Sequence, residues 1–139
     1  LGRGGSLAGG FGEGCRKGFG GLQVHVGGNP GGDFREGGRR DVFVRQTIGP
    51  DLSAVTEHAA LDGDEPVVLE VRAEPEEYTF WYAADGGAAA RLDAARTRYL
   101  SSEVAGGFTG VYVGLYATGN GRDAKTPARF DWFDYEPLP

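Results

Sequence analysis

From residue 41 onward the apolar side chains recur at every second position. "DVFVRQTI" sets Val42, Val44 and Ile48 on one side and Phe43, Arg45 and Thr47 on the other. "VVLEVRA" separates Val67, Leu69, Val71 and Ala73 from Val68, Glu70 and Arg72, and "YTFWYAA" separates Tyr78, Phe80 and Tyr82 from Thr79 and Trp81. "FTGVYVGLYAT" and "RFDWFDYE" carry the same period. A period of two belongs to a strand, whose residues point alternately to opposite faces, and not to a helix. The runs are separated by Gly49-Pro50-Asp51, "LDGDEP", "EPEE", Asp85-Gly86-Gly87 and "GNGRDAKTPA", all rich in turn formers. Asp85-Gly86-Gly87 is the clearest hairpin signal. "AAARLDAA" reads as the strand returning from it. "LSAVTEHAAL" is open between a helical turn and a strand edge, and "RYLSSEVAGG" between a loop and a single helical turn. Short strands at this spacing predict an all-β, antiparallel β-sandwich over residues 41–139. Each ring that such a core buries removes about 150–250 Å² from water.

Residues 1–40 break the pattern. They hold 16 of the 26 glycines and only three of the sixteen aromatic residues. Dense glycine raises the entropy cost of ordering the backbone and supplies nothing to bury. The reading is irregular, disordered coil, with "GLQVHV" as the one stretch that alternates like a strand. Two origins suit such a segment: a Gly-rich linker, or translation of GC-rich DNA in the wrong frame. The second is the expectation here. Leu1 stands where an initiating Met would be, no signal-peptide pattern follows it, and the chain reads as a piece of a longer protein, an incomplete sandwich.

Charge divides the same way, with residues 1–40 at +3 and the remainder at −9, for a formal net charge of −6. An acidic sandwich does not suit a phosphate backbone or an anionic bilayer, so no nucleic acid and no membrane is expected as a partner. One cysteine, Cys15, excludes an intrachain disulfide and favours a reducing compartment.

Catalytic patterns are sparse. No Gly-Lys pair marks a Walker loop, no G-x-S-x-G occurs, and His25, His58 and Cys15 fall short of a four-ligand zinc site. Glycoside cleavage needs two cooperating carboxylates. Asp131 and Asp134 are three apart, which on a strand puts them on opposite faces. "DGDE" (62–65) resembles a calcium loop faintly but reads more simply as an acidic turn. Asp131, flanked by aromatic residues, is a candidate ligand for a structural calcium, against the plainer reading of an outward-facing edge residue. Tyr112, Tyr116, Trp81 and Trp132 either fill the core or stack on a sugar. Phe108 differs from them, because it follows Gly106-Gly107 in what reads as a loop.

Several motifs, in order, resemble the C-terminal β-sandwich of glycoside hydrolase family 43 β-xylosidases. They are Tyr78-Thr79-Phe80, Asp85-Gly86-Gly87, "SSEVAGGFTGVYVGLYATGNG", Phe130-Asp131-Trp132-Phe133 and Tyr135-Glu136. They span about residues 66–136. Residues 41–65 are compatible but generic, and residues 1–40 do not match. The resemblance implies a concanavalin A-like jelly roll. It implies a catalytic propeller elsewhere as partner, a parent β-xylosidase or α-L-arabinofuranosidase, and no hydrolysis by this chain alone. It further implies that Phe108, with Gly107 and Thr109 beside it, contacts a xylo-oligosaccharide as a lid on the non-reducing sugar. Cytoplasmic location and a homo-oligomer in the intact enzyme are also implied. An independent carbohydrate-binding module for xylan and a nonfunctional gene fragment are the alternatives.

Overall fold

A computed structural model describes residues 21–27, 40–48, 52–55, 58–62, 65–84, 86–105, 111, 113–115 and 128–137. Seven strands are present among them: β1 (Gly21–Gly27), β2 (Arg40–Ile48), β3 (Leu52–Val55), β4 (Ala59–Leu61), β5 (Val67–Ala73), β6 (Glu77–Ala84) and β7 (Ala90–Arg96). A 3₁₀ turn, Thr97–Leu100, and a one-turn helix α1, Ser102–Ala105, follow β7. All ladders are antiparallel. One sheet runs β1-β2-β3 with β4 also on β2, and the other runs β5-β6-β7.

The first sheet is organised around β2. Val42 and Val44 have no exposed surface, and Phe43 on the opposite face is also buried. β3 and β4 both lie on the edge of β2 away from β1. The pairing Arg45↔Val55 becomes Val42↔Ala59, so the returning chain gains one residue on β2 between them. This step has the signature of a bulge. It aims His58 back over β2, where its ring stacks on Phe43 at 4.4 Å and its Nδ1 lies 3.2 Å from Asp41 Oδ2.

The second sheet is a meander. Gly86 occupies the left-handed region at φ 66°, and the Gly87 N–H donates to Ala84 O at 2.9 Å, closing the β6–β7 turn. A side chain at position 86 would be strained there. Phe80 pairs with Asp93 but Trp81 pairs with Arg91, so Leu92 is the extra residue of a bulge in β7. Leu92 packs against both clusters of the core.

That core lies between the sheets. One cluster joins Val26, Val42 and Leu61 of the first sheet to Val67 of the second. The other joins Val44 to Phe80 and Ala95. Gln46 adds a polar tie across the gap, its Nε2 donating to Asp93 Oδ2 at 2.7 Å and to Ala94 O at 3.2 Å. Two antiparallel sheets sharing one core are the all-β sandwich that the period of two predicts.

Two expectations are corrected. Gly21–Gly27 forms β1 within the segment read as irregular coil. Leu22, Val24 and Val26 face the core, and that burial offsets the entropy cost of the flanking glycines. Conversely, "RFDWFDYE" is not a strand: residues 128–137 have no ladder partner among the described residues. The described part of "FTGVYVGLYAT", residues 111 and 113–115, is likewise unpaired. Alternation prepares a face, but a strand also needs a neighbour to accept its backbone hydrogen bonds.

Candidate functional site

The stem of the Gly106-Gly107 loop is built from the end of β7. Tyr99, on the 3₁₀ turn, packs against the Val44–Phe80–Ala95 cluster. Thr97 ties the same turn to the β5–β6 loop: its N–H donates to Glu76 O at 3.1 Å and its Oγ1 to Pro75 O at 2.8 Å. The Val104 N–H then donates to Ser101 O, starting α1. Glu103 lies in the first turn of α1. Its carboxyl is held below the ordinary carboxylate value by its own backbone N–H and by the Ser101 side chain. The chain is thus fixed to the core at Tyr99, and local hydrogen bonds continue it into α1. Phe108, Gly107 and Thr109 themselves lie outside the described residues, as do Tyr112 and Tyr116. Tyr99 was not singled out in the sequence. "RYL" immediately before "SSEV" was the available signal, an aromatic residue where a plain loop would have had none.

Trp81, a sugar-stacking candidate, is on the outer face of the second sheet. The Arg72 guanidinium sits 4.5 Å from its ring centroid, and its indole N–H donates to Thr79 Oγ1 at 3.0 Å. Glu70 fixes Arg72 through Nε–Oε1 at 2.6 Å and Nη2–Oε2 at 3.3 Å, and it raises the guanidinium pKa further above its ordinary value. One face of the indole is therefore covered by this chain's own cation, and a stacked sugar has only the other. Trp132 is half-buried; its Nε1 is buried and has no hydrogen-bond partner among the described residues.

Asp131 is exposed. No group of three His, Cys, Asp or Glu side chains that could hold a metal gathers among the described residues. With residues 128–137 in no ladder among the described residues, the argument that set Asp131 and Asp134 on opposite faces of a strand does not carry over. Asp134 instead accepts the Tyr135 N–H through Oδ1 at 2.9 Å. Asp62 of the acidic turn is exposed, and residues 63 and 64 lie outside the described set. Among the described residues no helix is long and apolar enough to cross a membrane.

Two antiparallel sheets sharing one core, with the turn after β7 anchored in it, define an all-β sandwich domain. Comparison with known proteins makes the class particular. The model of the β-xylosidase C-terminal concanavalin A-like domain matches residues 33–136, and the chain belongs to that family. The match begins well before residue 66, so β2 to β4 belong to the domain as well. The chain is 42% identical over 101 residues to a non-reducing end α-L-arabinofuranosidase of Bacteroides ovatus, covering 73% of this chain and 19% of that protein. It therefore corresponds to about a fifth of its relative's length. No solved structure matches.

Proposed function

We propose that this chain is the C-terminal accessory sandwich of a family 43 pentosidase. In this reading it packs on a catalytic propeller and lends the loop around Gly107, Phe108 and Thr109 to the sugar pocket. Bond cleavage belongs to the propeller, and the sandwich supplies a wall. Phe108 closes over the non-reducing sugar and keeps water from the scissile bond except where the catalytic carboxylates place it. The observation that carries this reading is the anchoring of the loop stem. Tyr99 in the core and the two Thr97 hydrogen bonds hold the chain rigidly up to α1. A ring positioned from a rigid stem loses little entropy when a sugar arrives.

The test is made in the intact two-domain protein. Phe108→Ala is expected to lower kcat/KM on nitrophenyl pentosides by about tenfold to a hundredfold, the worth of one buried aromatic contact of about 1.5–3 kcal/mol. The melting temperature should not move. Unchanged kinetics would remove the lid role. The 139-residue chain by itself should leave the same substrates uncleaved. Turnover by the purified chain would place catalytic carboxylates within it and overturn the accessory reading.

A further inference from the structure

The sandwich has two kinds of edge. β7 carries Arg91, Asp93 and Arg96 and is bulged at Leu92, which are features that discourage strand addition. β5 is the opposite edge of the same sheet and has no such bulge. Its seven residues pair with β6 in unbroken register from Val67↔Ala84 to Ala73↔Tyr78. It has a ladder partner on one side only among the described residues. Its second half, Glu70 to Ala73, is exposed, and Val71, which points to the core side, keeps 47% of its surface in water. A long, regular edge with an exposed β-branched residue invites another strand.

We infer that β5 is a self-association edge, and that its occupant is β5 of a second copy of this chain, paired antiparallel about a two-fold axis through Val71. The charge pattern selects this register. With Val71 opposite the partner's Val71, Glu70 lies opposite the partner's Arg72, and Arg72 opposite the partner's Glu70. Leu69 then meets the partner's Ala73. Moving the pairing by two residues sets Glu70 against the partner's Glu70, or Arg72 against the partner's Arg72. Moving it by one turns the two cores to opposite sides of the joined sheet. Val71-centred pairing alone among these joins unlike charges on the outer face, apolar residues on the inner face, and both cores on one side. The result is a six-stranded sheet continuous across two chains, by an isologous contact. Glu70 and Arg72 bond each other within one chain, at 2.6 and 3.3 Å, with the guanidinium over Trp81 of β6, so pairing across the axis exchanges this exposed bond for two between the chains. An edge of this size makes a weak dimer.

The experiment is sedimentation or light scattering on the full chain, from micromolar to millimolar concentration. The expected mass rises from one chain to two. Glu70→Lys alone and Arg72→Glu alone each set two like-charge pairs across the axis, and each should weaken dimerisation by about tenfold or more. Mixing the two variants in equal amounts should restore it, because Lys at 70 of one chain then meets Glu at 72 of the other, and Arg72 of the first meets Glu70 of the second. That rescue arises only between chains, since within each variant chain the two charges still repel. Val71→Lys, on an exposed position, should abolish the dimer while leaving the circular dichroism and melting temperature of the monomer unchanged. A single-chain mass at every concentration overturns the inference. So does a dimer that is indifferent to all three substitutions, or one that mixing fails to restore. Pentoside turnover plays no part in this readout, so it can fail while the accessory reading stands.

Discussion

Residues 67–96 and residues 128–137 both hold several aromatic side chains, yet they end in different states. In the first region Phe80 is 2% exposed, locked between Val44 and Ala95, with ladder partners on both sides. In the second, Phe133 is 52% and Tyr135 77% exposed, and no ladder holds them. The two share the same kinds of residue. What differs is the neighbour. β6 is central because a hairpin at Gly86 and a short loop at 74–76 deliver strands to both its edges within thirty residues. Among the described residues no such local partner reaches residues 128–137. The comparison shows that a sheet's stability lies in its pairs, and that aromatic content alone does not confer it. Phe133 and Tyr135, like Val111 and Val113, stand exposed to solvent.

The largest test of this contrast is aromatic truncation. Phe80→Ala should destabilise the fold by about 3–5 kcal/mol in chemical denaturation. Phe133→Ala and Tyr135→Ala should each stay within about 0.5 kcal/mol. Equal losses at the two sites would mean that the late rings are packed after all. Gln46→Leu comes next. It removes the donor that links β2 to Asp93 and Ala94, and should cost about 1–2 kcal/mol without changing the strand content. Gly86→Ala should cost about 1 kcal/mol or somewhat more, and Gly86→Asn less, because Asn tolerates the left-handed region better. A neutral Gly86→Ala would mean that the hairpin does not depend on that conformation.

The smallest expected effect is acid sensitivity at the loop stem. The folded state lowers the Glu103 carboxyl below its ordinary value of 4.5. Its contribution is therefore complete above that value and is lost as pH falls through the lowered one. Carbon-detected titration should find a depressed midpoint at Glu103, and Ser101→Ala should bring it back toward the ordinary value. A normal midpoint in the unaltered chain would count against the hydrogen bonds at the start of α1.

Much of the fold was legible in single segments. β2, β5 and β6 follow directly from their alternation, and the β6–β7 turn follows from Asp85-Gly86-Gly87. β1 was half legible: "GLQVHV" alternates, but the glycines around it argued for coil until β2 supplied a partner. The bulge that turns His58 onto Phe43 had no local signal, because it is a mismatch between two ladders on one strand. Arg72 over Trp81 was equally hidden. The two residues are nine apart in sequence and meet only because Glu70 pairs with Trp81 across the sheet. Among the candidate site residues, Phe108 was singled out by its glycine neighbours and the family's motif and lies outside the described residues, whereas the anchoring role of Tyr99 emerged from packing.

By itself the sequence determined the class of element and the sides of each strand, since a period of two depends only on local backbone geometry. It also determined the family, since the motifs are local words in a fixed order. The tertiary structure decided which alternating runs became strands, which faces met, and which edges stayed open. Those are questions of pairing between distant segments, and no segment carries its partner's address.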